Sequence, residues 1–304
     1  MWTDALAAWY EERGRHDLPW RQTRDPWAVL VSEVMLQQTS VARVLPRWRA
    51  FLDRWPAPQD CAAATQEDVL REWQGLGYPR RALALHRVAQ AVARDGWPAT
   101  EAGLRQLPGI GAYTARALLA FAFDADVPPP RDVNLGRVAA RAALGVELHE
   151  AKARQLDEAL AASRPPHVSA REHAFALFDL GATVCTARQP RCVECPLAAC
   201  ASRARLRAVD EDLQAASPAR IPPVGANAHT EKKPPRRQPA YAGSMRQLRG
   251  AVLRAMLVAD PPHTLDDLKA RVAHTPAAAR EGAVEEALHG LHHDGLLGSL
   301  TLGA

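Results

Sequence analysis

The stretch LPGIGAYTARALLAFAFDADVPPPRDVNLGR, Leu107–Arg137, predicts the centre of the fold. Gly109 and Gly111 bracket one apolar residue just before an Ala- and Leu-rich run. Because glycine tolerates positive φ, the pair permits a tight reversal that brings backbone N–H groups close to a ligand. The helix expected from Thr114 would point its positive end at an anion. The pattern predicts two helices joined by a phosphate-binding turn, although it also fits an ordinary helix–helix turn.

A carboxylate follows at the far end of this stretch. Asp132 stands two residues after a run of three prolines and just before Asn134 and Arg137. A carboxylate at the start of a helix, close to a phosphate-binding turn, is well placed to face a sugar that becomes positively charged. Asp132 is therefore a candidate catalytic residue.

A second carboxylate lies in an apolar helix. Glu33 falls inside Trp27–Leu36, where only it and Ser32 interrupt the apolar run. Burial raises the pKa of a carboxyl group and suits it to hold a proton near neutral pH. The alternative is a structural glutamate bonded to a neighbouring helix end. The amide-rich residues 37–39 that follow fit either a probe of base edges or a helix cap.

The overall composition permits nucleic acid as a partner without requiring it. The 304 residues include 38 Lys and Arg against 34 Asp and Glu, a net charge of +4. No apolar run is long enough to cross a membrane, and the acidic start lacks the apolar core of a signal peptide. We expect a soluble cytoplasmic protein. Lysine is scarce and occurs at Lys152, Lys232, Lys233 and Lys269.

The turn at residues 75–81, Gly-Leu-Gly-Tyr-Pro-Arg-Arg, lies between two predicted helices. Tyr78 is placed to wedge between stacked bases, and Arg80 and Arg81 to hold phosphates. The alternative is a tyrosine packed over a helix joint beside a solvated basic face.

Four of the five cysteines crowd into Cys185–Cys200, with spacings of six, two and four residues, whereas Cys61 stands alone. In a reducing compartment such crowding predicts a metal centre rather than disulfides. The thiolates fit an iron–sulfur cluster or a tetrahedral zinc ion. Farther on, residues 206–245 are rich in Pro, Ala and basic residues and predict an extended linker. Residues 246–304 predict a small third unit, either winged-helix-like or a plain helical bundle.

Five motifs together resemble the adenine DNA glycosylases (the MutY family) of the helix-hairpin-helix superfamily, which also includes endonuclease III. They keep that family's order and spacing over roughly residues 5–205, and the Leu-Gln-Gln-Thr tip favours the adenine branch. The motifs are LPWRQTRDPWAVLVSEVMLQQT (18–39), GLGYPRRALALH (75–86), LPGIGAYTARALL (107–119), DVNLGRV (132–138) and DLGATVCTARQPRCVECPL (179–197).

The resemblance implies an all-α core of two lobes with DNA bound between them. A six-helix barrel lobe with the helix-hairpin-helix would span 25–130. An iron–sulfur lobe would combine 1–24 with 131–205 and hold one [4Fe–4S] cluster. The ligands implied are Cys185, Cys192, Cys195 and Cys200.

The resemblance also assigns roles to residues. It implies Glu33 as the acid that protonates a flipped adenine, Asp132 as the carboxylate that stabilises the positive sugar, and Asn134 and Tyr113 as supporting residues. The implied DNA-binding residues are Leu18, Trp20 and Arg21 around the adenine, Gln37 and Tyr78 entering the DNA helix around the lesion, Gln38 beside Gln37, and Gly109 and Gly111 in the hairpin.

The implied activity is removal of adenine mispaired with 8-oxoguanine or guanine in double-stranded DNA, by a monomer, leaving an abasic site. Endonuclease III-like enzymes carry their lyase lysine where this chain has Tyr113, so we expect little or no strand cleavage. A flipped base explains the wedge residues.

Three departures from the family pattern keep other functions open. The last cysteine spacing is four residues where the family usually has five, and Phe175 stands where many relatives have Glu or Gln to read adenine. No Nudix-like domain, which recognises 8-oxoguanine in longer relatives, follows residue 245. The alternatives are a glycosylase for thymine or another base opposite guanine, a noncatalytic iron–sulfur DNA-binding protein, and a helical protein with structural zinc.

Overall fold

The computed structural model describes residues 4–204, 241–298, 300 and 302. These residues form helices and turns and include no β-strand, which confirms the predicted all-α class. Most of the predicted linker, 206–240, lies outside the described residues. Within the described ranges, no helix is both long and apolar enough to cross a membrane.

The helices follow one another closely along the chain. In chain order the α-helices are α1 (Asp4–Arg13), α2 (Pro26–Leu36), α3 (Val41–Arg54), α4 (Pro58–Ala63), α5 (Gln66–Glu72), α6 (Arg80–Asp95), α7 (Glu101–Leu104), α8 (Ala112–Phe121), α9 (Val133–Ala139), α10 (Ala153–Ala161), α11 (Ala170–Thr183), α12 (Met245–Met256), α13 (Leu265–Val272) and α14 (Ala283–His293). Residues 201–204 are also helical. Short 3₁₀ helices cover Pro19–Arg21, Cys192–Glu194 and Pro276–Ala279, and a π-helix covers Ala140–Leu144.

The chain divides into two compact units. One unit comprises Met1–Gln37 and Trp97–Arg220, and the other comprises Gln38–Gly96 and Ile221–Ala304. The second unit therefore joins α3–α6 with the C-terminal helices α12–α14. The lobes expected from the resemblance, 25–130 and 1–24 with 131–205, stay a prediction.

Helix α2 is buried along most of its length because its sequence is almost wholly apolar. Asp25 starts it by accepting hydrogen bonds from the amides of Trp27 and Ala28 at 3.0 and 3.3 Å, and Pro26 occupies the first helical position. Every residue from Trp27 to Met35 is buried, and the helix packs against α8. A helix that is apolar all round must be buried in this way, and it carries Glu33 with it.

The predicted glycine turn between α7 and α8 uses its two glycines differently. Gly109 has a φ of 76°, which confirms the expected left-handed conformation. Gly111 has a φ of −89° and does not use the freedom of glycine to adopt a positive φ. Gly111 is the N-cap of α8, and a Cβ added to it would meet nothing within 4 Å. Its backbone is therefore open to a ligand at a helix N-terminus.

A buried carboxylate joins the N-terminal segment to α11. Asp179 is fully buried and accepts hydrogen bonds from Arg15 at 2.8 Å (backbone N) and 2.6 Å (Nε). It also accepts a bidentate pair from Arg21 at 2.6 and 2.8 Å. Burial by itself would raise the pKa of Asp179, but the two arginines hold it below the ordinary value. The pairing compensates the charge of a carboxylate removed from water.

The C-terminal part of the second unit has a small core of its own. Its buried side chains include Leu248, Val252, Met256, Leu268 and Leu291. Thr264 caps α13 by accepting a hydrogen bond from the amide of Asp267 at 3.2 Å. The winged-helix hairpin would need residues after Leu297, several of which lie outside the described residues, so it stays a prediction.

We predict that Asp179→Asn lowers the free energy of unfolding by about 3 kcal/mol, because it leaves the buried Arg21 guanidinium without its countercharge. Since the folded pKa of Asp179 lies below its unfolded value, its stabilisation is present at neutral pH and is lost as pH falls below about 4. Urea unfolding followed by tryptophan fluorescence measures both effects.

The matched control is Asp157→Asn, which breaks a half-exposed pair with Arg131 (2.8 Å) and should change the free energy by at most about 1 kcal/mol. Equal effects of the two substitutions would contradict the structural role of Asp179.

Candidate active site

Glu33 is a buried carboxyl group on α2. Its residue surface is only 9% exposed, and its pKa is raised to about 7. Burial is the main cause, and the negative charge of Asp132 adds to it. A hydrogen bond from the Tyr113 hydroxyl and the charge of Arg21 act in the opposite direction. The carboxyl group therefore holds a proton over part of its population at neutral pH and can donate it.

Tyr113 reaches Glu33 from the first turn of α8, just after the glycine turn. Burial and the neighbouring carboxylates of Glu33 and Asp132 raise the pKa of Tyr113 well above its ordinary value. The phenol therefore stays protonated at neutral pH and donates its hydrogen bond to Glu33. The helix that begins at the glycine turn thus also supplies a residue that controls the acid.

Asp132 is the N-cap of α9, and three N–H groups hold its side chain. Oδ1 accepts from the amides of Asn134 and Leu135, both at 2.8 Å, and Oδ2 accepts from Asn134 Nδ2 at 2.9 Å. Burial raises the pKa of Asp132, and these hydrogen bonds oppose the rise because they stabilise the ionised form. The structure therefore brings together the four predicted catalytic residues, Glu33, Tyr113, Asp132 and Asn134.

Arg137 orients Asn134, a contact that the sequence analysis did not identify. Its guanidinium is buried and donates to Asn134 Oδ1 at 2.9 Å, to Gly181 O at 2.6 Å and to Cys185 O at 2.7 Å. With its oxygen bound to Arg137, Asn134 presents its NH₂ group to Asp132. The i, i+3 spacing of Asn134 and Arg137 on α9 is the only local signal of this pairing.

Gly181 allows α11 to approach α9 at this point. A Cβ on Gly181 would lie 2.9 Å from Asn134 Cβ and 3.1 Å from Asn134 O. Any larger residue there would push Asn134 and the Asp132 cap out of place. Sequence reasoning found this glycine only as part of a motif, because its contact with Asn134 exists only in the folded chain.

The residues expected around the adenine are largely engaged in packing. Leu18 and Trp20 are buried, and Arg21 is held by Asp179 with its guanidinium 4.6 Å from the centre of the Phe175 ring. Phe175 is also buried and stacks on Phe121 with ring centres 4.5 Å apart. Phe175 therefore contributes shape but no hydrogen-bonding group, and the binding roles of Leu18, Trp20 and Arg21 stay predictions.

Two turns in the second unit contain a residue in a strained backbone conformation. Gln38 and Tyr78 have φ values of 58° and 49°, in the left-handed region that residues other than glycine rarely adopt. Strained backbone conformations persist only where surrounding contacts hold them, and they are common at functional sites. Tyr78 is 48% exposed, as a wedge residue requires. Gln37 ends α2 in the other unit and is half-buried.

The side chain of Arg81 holds these two turns in place. Its guanidinium donates to Leu76 O and Gly77 O, both at 3.1 Å, and to Thr39 Oγ1 at 3.5 Å. It also lies 5.3 Å from the centre of the Tyr78 ring. This internal role differs from the phosphate contact that the sequence predicts for Arg81.

The four clustered cysteines line one pocket in the first unit. Cys185, Cys192, Cys195 and Cys200 are half-buried thiols around it, together with the side chain of Arg141. Cys200 reaches the pocket despite the short spacing, and its thiol lies 3.5 Å from the Arg141 carbonyl.

The thiols of the pocket are ligands that either an iron–sulfur cluster or a zinc ion would require. Arg141 Nη1 lies 3.7 Å from Cys185 Sγ, where its charge favours the thiolate that a metal requires. Among the described residues, no three His, Cys, Asp or Glu side chains stand close enough to hold one metal ion. Cys61 lies apart, fully buried, with a pKa raised to about 12 by burial.

The chain is similar to known base excision DNA repair proteins. Residues 31–162 match the family described as HhH-GPD superfamily base excision DNA repair protein. An adenine DNA glycosylase of Mycobacterium tuberculosis is 43% identical over 288 residues, 93% of this chain and 87% of that protein. A thymine/uracil-DNA glycosylase of Pyrobaculum aerophilum is 37% identical over 209 residues, 64% and 87% of the two chains. A thermostable thymine-DNA glycosylase structure superposes with a TM-score of 0.61 and 25% identity, over 67% of this chain and 95% of that one.

The adenine DNA glycosylase match extends over nearly the whole length of both proteins, including the C-terminal part beyond the catalytic core. This extent and level of identity confirm the resemblance inferred from the five sequence motifs. The chain belongs to the adenine DNA glycosylase (MutY) family of the helix-hairpin-helix superfamily.

Proposed function

We propose that this protein hydrolyses the N-glycosidic bond of adenine mispaired with 8-oxoguanine or guanine in duplex DNA and leaves an abasic site. The observation that carries the proposal is a carboxyl group with a pKa of about 7, Glu33, beside Tyr113 and a second carboxylate, Asp132. One proton-holding and one ionised carboxyl group are what a reaction with an oxocarbenium-like transition state needs.

Glu33 acts as the general acid. Adenine leaves poorly as an anion, so protonation of the ring by Glu33 lets the C1′–N9 bond break with the electron pair on a neutral base. The hydrogen bond from Tyr113 fixes the carboxyl group and stabilises the carboxylate that remains after the transfer. Adenine departs with the proton, and Glu33 is left ionised.

Asp132 stabilises the sugar cation that forms at C1′. Its three N–H contacts keep the carboxylate ionised and fixed, so no reorganisation is needed when the positive charge develops. Water then adds its hydroxyl to C1′ and releases its proton. Arg137 supports this step indirectly because it holds the Asn134 amide against Asp132.

The base must leave the helical stack to reach these buried groups. Exposed Tyr78, with Gln37 and Gln38, is suited to fill the space in the duplex, and the Gly109–Gly111 turn with the α8 N-terminus is suited to bind the strand's phosphate.

The same site favours base removal without strand cleavage. A lyase step through a Schiff base needs an uncharged amine at the sugar, and the position used by lyases is occupied by the Tyr113 phenol. Lys152, which precedes α10, is exposed to solvent. We therefore propose a monofunctional glycosylase that acts as a monomer on double-stranded DNA inside the cell, at the nucleoid.

A [4Fe–4S] cluster is proposed as the resident cofactor, held by Cys185, Cys192, Cys195 and Cys200. When bound, it would fix the loop from Cys185 to Cys200 rather than take part in bond breaking. Arg141 would place a positive charge against this anionic group, and Arg137 ties the carbonyl of Cys185 to Asn134.

A second candidate substrate is thymine, or another base, opposite guanine. Phe175 favours it because a buried phenyl ring offers no hydrogen bond that would select adenine. The Pyrobaculum relative bears the name of such an enzyme. A noncatalytic DNA-binding protein fits less well, since it would not need a buried, proton-holding Glu33.

We predict that Glu33→Gln lowers the single-turnover rate of adenine release by at least about 100-fold, because the amide cannot donate an acidic proton. The parent protein should release adenine from duplexes with adenine opposite 8-oxoguanine and opposite guanine, whereas it should release no thymine from a thymine–guanine duplex. Glu158→Gln, at an exposed ion pair on α10, is the control and should keep the parent rate.

Release of thymine in place of adenine would establish the second candidate. Duplex binding without release of any base by the cluster-loaded parent protein would support the noncatalytic alternative.

The rate should fall as pH rises through about 7, because Glu33 acts only while protonated. Tyr113→Phe removes a hydrogen bond that favours the carboxylate, so the pKa of Glu33 should rise and the fall in rate should move to higher pH. Single-turnover pH profiles measure the midpoints. Tyr241→Phe, at an exposed tyrosine, should leave the midpoint unchanged. A shift to lower pH in Tyr113→Phe would contradict the assigned hydrogen bond.

Protein purified without oxygen should contain about four iron and four sulfide per chain. Cys200→Ser should lose most of both, because it removes one of the four thiols in the pocket, whereas Cys61→Ala should retain them. A content of about one zinc per chain would contradict the proposed cofactor. An iron content that Cys200→Ser does not lower would contradict it as well.

A further inference from the structure

The turn that carries Tyr78 keeps its shape through a small number of side-chain and backbone contacts. Gly75, Gly77 and Tyr78 all have positive φ, at 90°, 73° and 49°. No helix or strand hydrogen bonds run through the turn, and the main internal supports are Arg81 and the indole of Trp73, which donates to Gly77 O at 3.0 Å. Glycine has more conformational freedom than any other residue, so contacts at the two ends of the turn limit the conformations that it can adopt.

The C-terminal helices contact both sides of this turn within the second unit. On the α6 side, Arg80 forms an ion pair with Asp294 at the end of α14. On the α5 side, Arg71 Nε donates to Leu257 O at 2.7 Å, at the end of α12. Near the start of α5, Gln66 Nε2 donates to Gly295 O at 2.6 Å. The two helices that border the turn are therefore each attached to the same C-terminal group of helices.

Asp294 is the centre of these contacts. Its carboxylate bridges Arg80 and Arg249, and Arg249 also donates to Gly290 O at 3.3 Å. The side chain of Asp294 is only 16% exposed, although that of Arg80 is 68% exposed. Burial opposes ionisation, but the two arginines hold the pKa of Asp294 below its ordinary value. Asp294 is thus a charged bridge fixed to α12 and α14.

We propose that the C-terminal helical unit positions the Tyr78 turn for entry into DNA, and that Asp294 is the positioning residue through its contact with Arg80. The inference rests on the proposed function, in which Tyr78 enters the duplex during base release. Asp294 acts in the free protein, before any contact with DNA. It limits the conformations of the turn, so that fewer of them have to be excluded when DNA binds. The proposal gives residues 245–298 a role in the reaction.

The test compares Asp294→Asn with Asp260→Asn. Both substitutions remove one negative charge from the C-terminal unit, but Asp260 is 84% exposed and far from the turn in sequence and contacts. Any general effect of charge on DNA affinity should therefore be common to both. The first readout is hydrogen exchange of the amides of residues 75–81 in the full chain without DNA. The second is single-turnover adenine release at saturating enzyme.

In Asp294→Asn, we expect amide exchange in the turn to be about fivefold faster than in Asp260→Asn. Base release should be about fivefold slower than in the same control. A factor of five corresponds to about 1 kcal/mol. DNA affinity should equal that of the control. Arg80→Gln should accelerate exchange to the same extent, and the double substitution should add no more, because both remove the same contact.

Arg80→Gln also covers the case in which Asp294→Asn unfolds the C-terminal helices. The exposed Arg80 side chain is not part of their core, so its substitution should leave amide exchange in α12–α14 unchanged. The proposal would be overturned if amide exchange and base release in Asp294→Asn matched those of the Asp260→Asn control. Faster base release in Asp294→Asn would also overturn it, because Asp294 would then be keeping Arg80 away from DNA.

The exchange readout does not depend on catalysis. If the parent protein released no base, the proposed function would fail, while protection of the turn by Asp294 would still be decided by exchange without DNA.

Discussion

The burial of one carboxyl group, Glu33, is the constraint on which the catalytic half of this chain depends. The group must be dry enough to hold a proton near neutral pH, and this requires a helix that is apolar on nearly all sides. Helix α2 meets the requirement because its cap, Asp25, and its first residue, Pro26, start it cleanly and every residue from Trp27 to Met35 is buried. The neighbouring α8 covers it and supplies Tyr113. The acid and the hydrogen bond that adjusts it therefore come from one helix pair.

Burial also raises the pKa of the second carboxylate, Asp132, but hydrogen bonds from three N–H groups oppose the rise. Asp132 sits at a helix N-terminus, where backbone N–H groups stabilise negative charge, and Asn134 adds a third donor. The two carboxyl groups thus differ in environment: Glu33 is surrounded by apolar residues, whereas Asp132 is surrounded by donors. In the proposed reaction, this difference suits Glu33 to proton donation and Asp132 to charge stabilisation. Gly181 makes the arrangement possible because it lets α11 approach Asn134.

Arginine has a larger structural role in this chain than a simple count of charges suggests. Arg137, Arg141 and Arg171 are buried and donate to backbone carbonyls, as in the contacts of Arg171 with Arg21 O and Thr23 O at 2.7 and 2.8 Å. Planar guanidinium groups with several donors can join loops that have no regular hydrogen-bond partners. Arg81 supports the Tyr78 turn in the same way. Many of the arginines that a basic composition would assign to DNA therefore hold the protein together.

The sequence by itself determined the helical class, the glycine turn before α8, the carboxylates Glu33 and Asp132 and the crowded cysteines. These features depend on neighbours in the chain: apolar periodicity, N-caps, glycine and close ligand spacing act over a few residues. Tertiary structure alone decided that Arg21 pairs with Asp179, 158 residues away, and that Arg80 pairs with Asp294, 214 residues away. It also decided that Gly111 keeps a negative φ. Ion pairs and burial across such separations arise from packing of whole helices, and no local pattern encodes which partner a charged side chain will meet.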